Sequence, residues 1–173
     1  MRLFIAVNFD DITKQQLTEV QCRLRKYSLC GSFTAQENLH LTLVFLGETA
    51  QIHIPAIIEA INFVKFDPFC LCIKGIGRFR NCGDDTLWIG IEANRSLTMI
   101  HDELVDRLKF AGFEIEKRKF TPHITLARRA QMNDDFNPAL ISQKTTAIYS
   151  DISKISLMKS EQAKNGRMIY TEM

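Results

Sequence analysis

Two short patterns of the form His-x-Thr-Leu, at His40 and His123, stand 83 positions apart in this chain of 173 residues. They read Asn38-Leu39-His40-Leu41-Thr42-Leu43-Val44-Phe45-Leu46-Gly47 and Phe120-Thr121-Pro122-His123-Ile124-Thr125-Leu126-Ala127-Arg128. Both are β-branched and aliphatic runs closed off by Glu37-Asn38 and Gly47, or by Thr121-Pro122 and the pair Arg128-Arg129, and both read as strands. Successive side chains of a strand point to opposite faces. His40 therefore shares a face with Thr42, and His123 with Thr125, while Leu41, Leu43, Ile124 and Leu126 point into an apolar layer. Each half of the chain delivers one imidazole and one hydroxyl to a shared polar cleft over a dry floor.

Two imidazoles suit in-line displacement at phosphorus, where one group takes a proton from the nucleophile and another gives one to the leaving oxygen. Histidine holds acid and base forms within reach of neutrality. The two threonine hydroxyls can donate to the non-bridging phosphoryl oxygens. Arg128, read as the end of its strand, adds a permanent cation in a fork that suits phosphate. One His-x-Thr alone is usually a hydrogen-bonded, half-buried histidine. Here two of only four histidines fall in matched strand contexts.

The same residues carry a family resemblance. The chain resembles the 2H phosphoesterase superfamily, and within it the RNA 2′,3′-cyclic phosphodiesterases, also called LigT-like or 2′-5′ RNA ligase proteins. The likeness runs from Met1-Arg2-Leu3-Phe4-Ile5-Ala6-Val7 through both motifs, Leu87-Trp88-Ile89-Gly90 and Gly112-Phe113 to Leu157-Met158-Lys159-Ser160-Glu161. It implies an α/β (α+β) bilobal fold, with two pseudo-symmetric lobes of antiparallel sheet, helices outside and the cleft between them. It also implies metal-independent opening of RNA or nucleotide 2′,3′-cyclic phosphates to 2′-phosphomonoesters. By motif, His40 and His123 are then acid and base, Thr42, Thr125 and Arg128 bind the phosphate, and Phe45 stands where a base can stack or simply joins the core. Our assignment is His123 as base and His40 as acid. The loop Phe79-Arg80-Asn81-Cys82-Gly83-Asp84-Asp85-Thr86 lacks the family's basic step. Two alternatives are a 2′-5′ ligase or phosphodiesterase on the same site, and an RNA-end binding module without turnover.

Composition narrows the class. With 46% hydrophobic and 24% charged residues, the chain reads as an ordinary globular domain spanning 1–173. No apolar run approaches the ~18 residues of a membrane span, and no leader precedes Leu3. A cytoplasmic monomer without an obligate protein partner or cofactor is expected. A net charge of +2 suits a short RNA end or nucleotide better than a duplex. The local cations Lys117-Arg118-Lys119 and Arg128-Arg129 flank the second motif. Five cysteines fit a reducing compartment. Cys70, Cys72 and Cys82 lack the second close pair of a zinc site, so buried free thiols are expected and no metal. His53 reads as solvent-facing and His101 as a helix-boundary residue.

The rest of the pattern fits two related halves. A helix from Asp10-Asp11 carries Leu17, Val20, Leu24 and Tyr27 on one face and makes a β-α-β start with the first motif strand. A second helix from Pro55 carries Ile57, Ile58, Ile61 and Val64. Phe69 to Phe79 and Thr86 to Glu92 read as a strand pair. A third helix after Asn94 carries Leu97, Ile100, Leu104, Val105 and Leu108 and stops at Gly112. Gln131 to Pro138 reads as a polar loop. Strands follow near Lys144 to Tyr149, Ser153 to Lys159 and Arg167 to Glu172, the last two joined by an Asn165-Gly166 turn. Gly75-x-Gly77 lacks the rest of a dinucleotide fingerprint, and no phosphate-binding glycine-lysine loop is present.

Overall fold

Alternation of apolar and polar residues along the strands leaves one sheet face to be covered, and the helices cover it. A computed structural model describes residues 1–117, 119–164 and 166–173. The elements run β1 (Arg2–Asn8), α1 (Asp11–Arg25), β2 (Ser28–Phe33), β3 (His40–Glu48), α2 (Ile54–Phe63), β4 (Phe69–Arg80), β5 (Asp85–Ile91), α3 (Arg95–Phe110), β6 (His123–Met132), α4 (Pro138–Lys144), β7 (Ile148–Ile152), β8 (Ser156–Gln162) and β9 (Met168–Glu172). The strands form one curled antiparallel sheet in the order β7-β4-β5-β6-β3-β1-β8-β9, with β2 pairing the far end of β6. The two motif strands are neighbours at its middle, with β5, β4 and β7 beyond β6 and β1, β8 and β9 beyond β3.

Helix starts follow from side-chain oxygens that accept otherwise orphaned backbone N–H groups. Asp10 accepts from the Thr13 N–H at 2.7 Å and Asn94 from that of Leu97 at 2.9 Å. The apolar stripes Leu17, Val20, Leu24 and Leu97, Ile100, Leu104, Leu108 are buried. Each such side chain contributes roughly 1.5–3 kcal/mol when fully buried. These residues join Leu3, Ile5, Leu41, Leu71, Ile89 and Ile124 in one core that runs beneath both halves. Gln21, 3% exposed, bridges the halves: its Nε2 donates to the carbonyls of Thr34 and Leu126, both at 2.8 Å.

The structure corrects the expected organisation at several points. β2 intervenes before the first motif strand, and β1 pairs with β3 antiparallel, so the start is not a simple β-α-β unit. Its residues are largely exposed and lack alternation, because among the described residues β2 pairs with β6 alone. β6 continues to Met132, and α4, capped by Asn137, replaces part of the expected loop and the first tail strand. Ile58 is exposed, because Ile57 and Ala60 take the buried side of α2. The turn residue Asn165 lies outside the described residues. The cysteines are free but not buried: Cys22, Cys30, Cys70 and Cys82 are exposed and Cys72 is half-buried. Leu71 and Ile73 take the core side of β4, which leaves Cys70 and Cys72 on the other face. Among the described residues no helix is long and apolar enough to cross a membrane.

Candidate active site

The site is assembled by register. β3 and β6 meet through the pair Leu41↔Ile124. One residue further either way, that antiparallel register sets His40 opposite Thr125 and Thr42 opposite His123. Directly opposed residues project to the same face. The four polar side chains thus form a diagonal square, each imidazole beside its own threonine along the strand and the other half's threonine across it. Leu41, Leu43, Ile124 and Leu126, all buried, make the floor as expected.

Both strands then break alternation at the same place. Their burial runs intermediate-buried-intermediate-buried-buried-exposed from His40 and again from His123. The ladder skips Leu43 between Ala6↔Thr42 and Ile5↔Val44, and skips Leu126 between Trp88↔Thr125 and Leu87↔Ala127. A β-bulge adds one residue and so re-aims everything beyond it. The consequence is that Phe45 and Arg128, each five residues past its histidine, occupy equivalent positions on the cleft face. Phe45 is therefore not a core residue; it is 50% exposed. Arg128 sits within β6 rather than at its end.

The histidines are held alike. Nδ1 of His40 donates to the Asn38 carbonyl and Nδ1 of His123 to the Thr121 carbonyl, each at 2.7 Å. A carbonyl only accepts, so Nδ1 carries the proton in the neutral ring and Nε2 is the nitrogen left for chemistry. In neutral His40, the Thr42 hydroxyl donates to Nε2 at 3.0 Å. Aromatic rings brace both imidazoles: Phe4 and Tyr170 lie 4.9 and 5.1 Å from His40, Phe79 and Trp88 lie 5.1 and 6.1 Å from His123. Burial lowers the His40 pKa below its ordinary value. The Asn38 carbonyl opposes this, while the charges of Arg128, Lys14 and His123 add to it.

Two cavities flank the square and share Thr42 and Phe45. One, of about 460 Å³, lies on the His123 side and is walled by Phe45, Phe79, Phe120, His101 and Lys119. The other, of about 290 Å³, lies on the His40 side and includes Arg2, Arg128, Ser160 and Tyr170. His101 is thus a cleft residue and not a mere helix boundary: its ring stacks on Phe120 at 4.0 Å and 9°, and Nδ1 lies 2.8 Å from Asp102 Oδ1. No spacing in the sequence marks it, because the segment carrying Phe120 folds back over α3 only in three dimensions. His53 is exposed, with its ring edge against Phe113. Of the first basic group, Lys119 reaches the cleft, Lys117 is exposed, and Arg118 lies outside the described residues. No group of three or more potential metal ligands occurs among the described residues.

A curled antiparallel sheet with paired His-x-Thr strands at its centre defines the two-histidine phosphoesterase fold. The sequence profile of the 2′-5′ RNA ligase superfamily matches residues 10–164, and the chain belongs to that family. A Thermotoga maritima protein named RNA 2′,3′-cyclic phosphodiesterase is 33% identical over 162 residues, covering 87% of this chain and 86% of its own. A namesake from Archaeoglobus fulgidus is 34% identical over 138 residues, covering 78% and 76%. Among solved structures, a Thermus thermophilus protein superposes with TM-score 0.83 at 26% identity, over 100% of this chain and 95% of that one. Escherichia coli LigT in its apo form does so with TM-score 0.81 at 25% identity, over 99% and 94%.

Proposed function

We propose that this chain, acting as one domain and as a monomer, hydrolyses 2′,3′-cyclic phosphates of RNA ends or nucleotides to 2′-phosphomonoesters. The observation that carries it is the diagonal square: two Nε2 atoms with fixed tautomers and two hydroxyls around one spot, with Arg128 beside it. The relatives named RNA 2′,3′-cyclic phosphodiesterase support the same substrate class.

The cavities orient the substrate. The larger one offers Phe45, Phe79 and Phe120 to a nucleobase. The base leaves the ribose at C1′, next to C2′, so a base on the His123 side turns O2′ toward His123 and O3′ toward His40. Forming a 2′-phosphate requires breaking the P–O3′ bond. His123 then takes a proton from water, the water oxygen bonds to phosphorus opposite O3′, and His40 gives its proton to O3′ as that bond breaks. Thr42, Thr125 and Arg128 hold the charge on the non-bridging oxygens. A lowered pKa makes protonated His40 a stronger acid toward the departing alkoxide.

The test is incubation with adenosine 2′,3′-cyclic phosphate in the presence of a chelator, followed by phosphorus NMR. Accumulation of the 2′-phosphate is expected. Tight binding without turnover would instead make the chain an RNA-end binding module, and a 3′-phosphate product would reverse the histidine roles.

The titration of His40 can also be followed by pH. The depressed pKa of His40 places one limb of kcat/KM below the ordinary imidazole value of about 6.5, whichever of the two histidines is the acid. Lys14 contributes to that depression, and removing its charge favours the protonated ring. In Lys14→Gln that limb is expected to move to higher pH. A profile with neither limb moved would mean that His40 sets neither limb.

A further inference from the structure

We propose that Arg2, Ser160 and Tyr170 form a second anion subsite, which holds the phosphate on O5′ of the nucleoside whose 2′,3′-cyclic phosphate is cleaved. The inference rests on the cyclic phosphodiesterase function above and adds a preference within it: 5′-phosphorylated cyclic nucleotides and RNA ends over bare nucleoside cyclic phosphates.

Register again builds the site. Arg2 on β1 pairs with Ser160 on β8, and Ser160 pairs with Tyr170 on β9. Opposed residues share a face, so a guanidinium, a hydroxyl and a phenol form one row across three strands. All three line the 290 Å³ cavity beside His40 and Arg128, and no carboxylate among the described residues lines it. Arg2 makes no ion pair among the described residues. Glu48, its ladder neighbour on β3, contacts the Met1 amino group at 3.4 Å instead. The Arg2 guanidinium lies 5.1 Å from the centre of the Phe45 ring, at the ridge between the two cavities. Tyr170 is fixed edge-on against Phe4 at 5.2 Å. The cavity is thus lined by donors and one unneutralised guanidinium beyond Arg128, a composition that selects an anion.

Ribose geometry says which anion. The cyclic phosphate spans C2′ and C3′; the base departs from C1′ and the 5′ oxygen from C4′, on opposite flanks of the ring. With the base past Phe45 on the His123 side, O5′ points into the cavity on the His40 side. A phosphate there meets the Arg2 row while the scissile phosphate stays on the histidines and Arg128.

Two measurements test this. In the first, kcat/KM is compared for adenosine 2′,3′-cyclic phosphate with and without a 5′-phosphate. The wild type is expected to favour the 5′-phosphorylated substrate about tenfold, in line with one charge-assisted contact. That ratio should fall toward one in Arg2→Gln and with rising salt. Lys109→Gln, an equal loss of charge in the last turn of α3, should keep it. A ratio near one in the wild type, or one retained in Arg2→Gln, overturns the subsite. In the second, calorimetry compares the affinities of adenosine 2′-monophosphate and adenosine 2′,5′-bisphosphate, which needs no turnover. Tighter binding of the bisphosphate by the wild type alone supports the subsite even if hydrolysis is absent, and equal affinities overturn it. Absence of turnover on both cyclic substrates would overturn the hydrolase function separately.

Discussion

Replacing His123 with alanine is expected to lower kcat on a 2′,3′-cyclic nucleotide by about 10²–10⁴-fold, the usual contribution of one positioned proton transfer. His40→Ala should cost a similar factor. The double variant should lose less than the product of the two, because groups that act in one transition state are not additive. The magnitudes are assigned to rate and not to binding for a geometric reason. Thr42, Thr125 and Arg128 keep their places on the strands when an imidazole is shortened, since each strand is held by its own ladder. KM should therefore change far less than kcat. Single-turnover and steady-state kinetics on the three variants check this. A His123→Ala protein that turns over normally but binds weakly would mean that the imidazole recognises the phosphate and moves no proton.

The second large effect is expected from a residue with no side chain. A Cβ placed on Gly77 would lie 2.2 Å from two carbons of the Trp88 indole, well inside van der Waals contact. Gly77 faces Trp88 across the β4–β5 ladder, and the indole lies over the bare glycine backbone. Gly77→Ala must displace the ring, and overpacking of this kind costs about 1–3 kcal/mol. For a chain of this size that is roughly a 2–12 °C fall in Tm. The displacement also strips a brace from His123, whose ring lies 6.1 Å from the indole and 5.1 Å from Phe79. Trp88 is the only tryptophan of the chain, so intrinsic fluorescence reports on it alone. An unchanged Tm together with an unchanged emission spectrum in Gly77→Ala would refute this packing.

The parts of the site that were legible in the sequence are those governed by strict alternation. His40, Thr42, His123 and Thr125 precede the bulges, and a period of two places them without error. Phe45 and Arg128 follow the bulges, so simple alternation would turn both toward the core. The extra residues Leu43 and Leu126 look like ordinary members of apolar runs, and nothing local distinguishes a bulged leucine from a regular one. The capped, striped helices α1 and α3 were legible because cap and periodicity agree. β2 and α4 were not: among the described residues β2 pairs with β6 alone and it buries little, and α4 is a seven-residue helix whose cap, Asn137, sits inside a polar stretch. The diagonal pairing of imidazoles and hydroxyls could not be read at all, since it depends on which residue of β3 meets which residue of β6.

That meeting point makes the spacing of the two imidazoles a problem in volume. Each imidazole is tied to its own strand by a carbonyl two residues back, while the strands themselves are paired at Leu41 and Ile124, whose side chains are wholly buried. The distance between the two nitrogens is thus gauged by the bulk of aliphatic side chains that never touch the substrate. Exchanging either residue for valine would act as a shim one methylene thinner, changing how the two strands seat on the core while every side chain of the square stays the same.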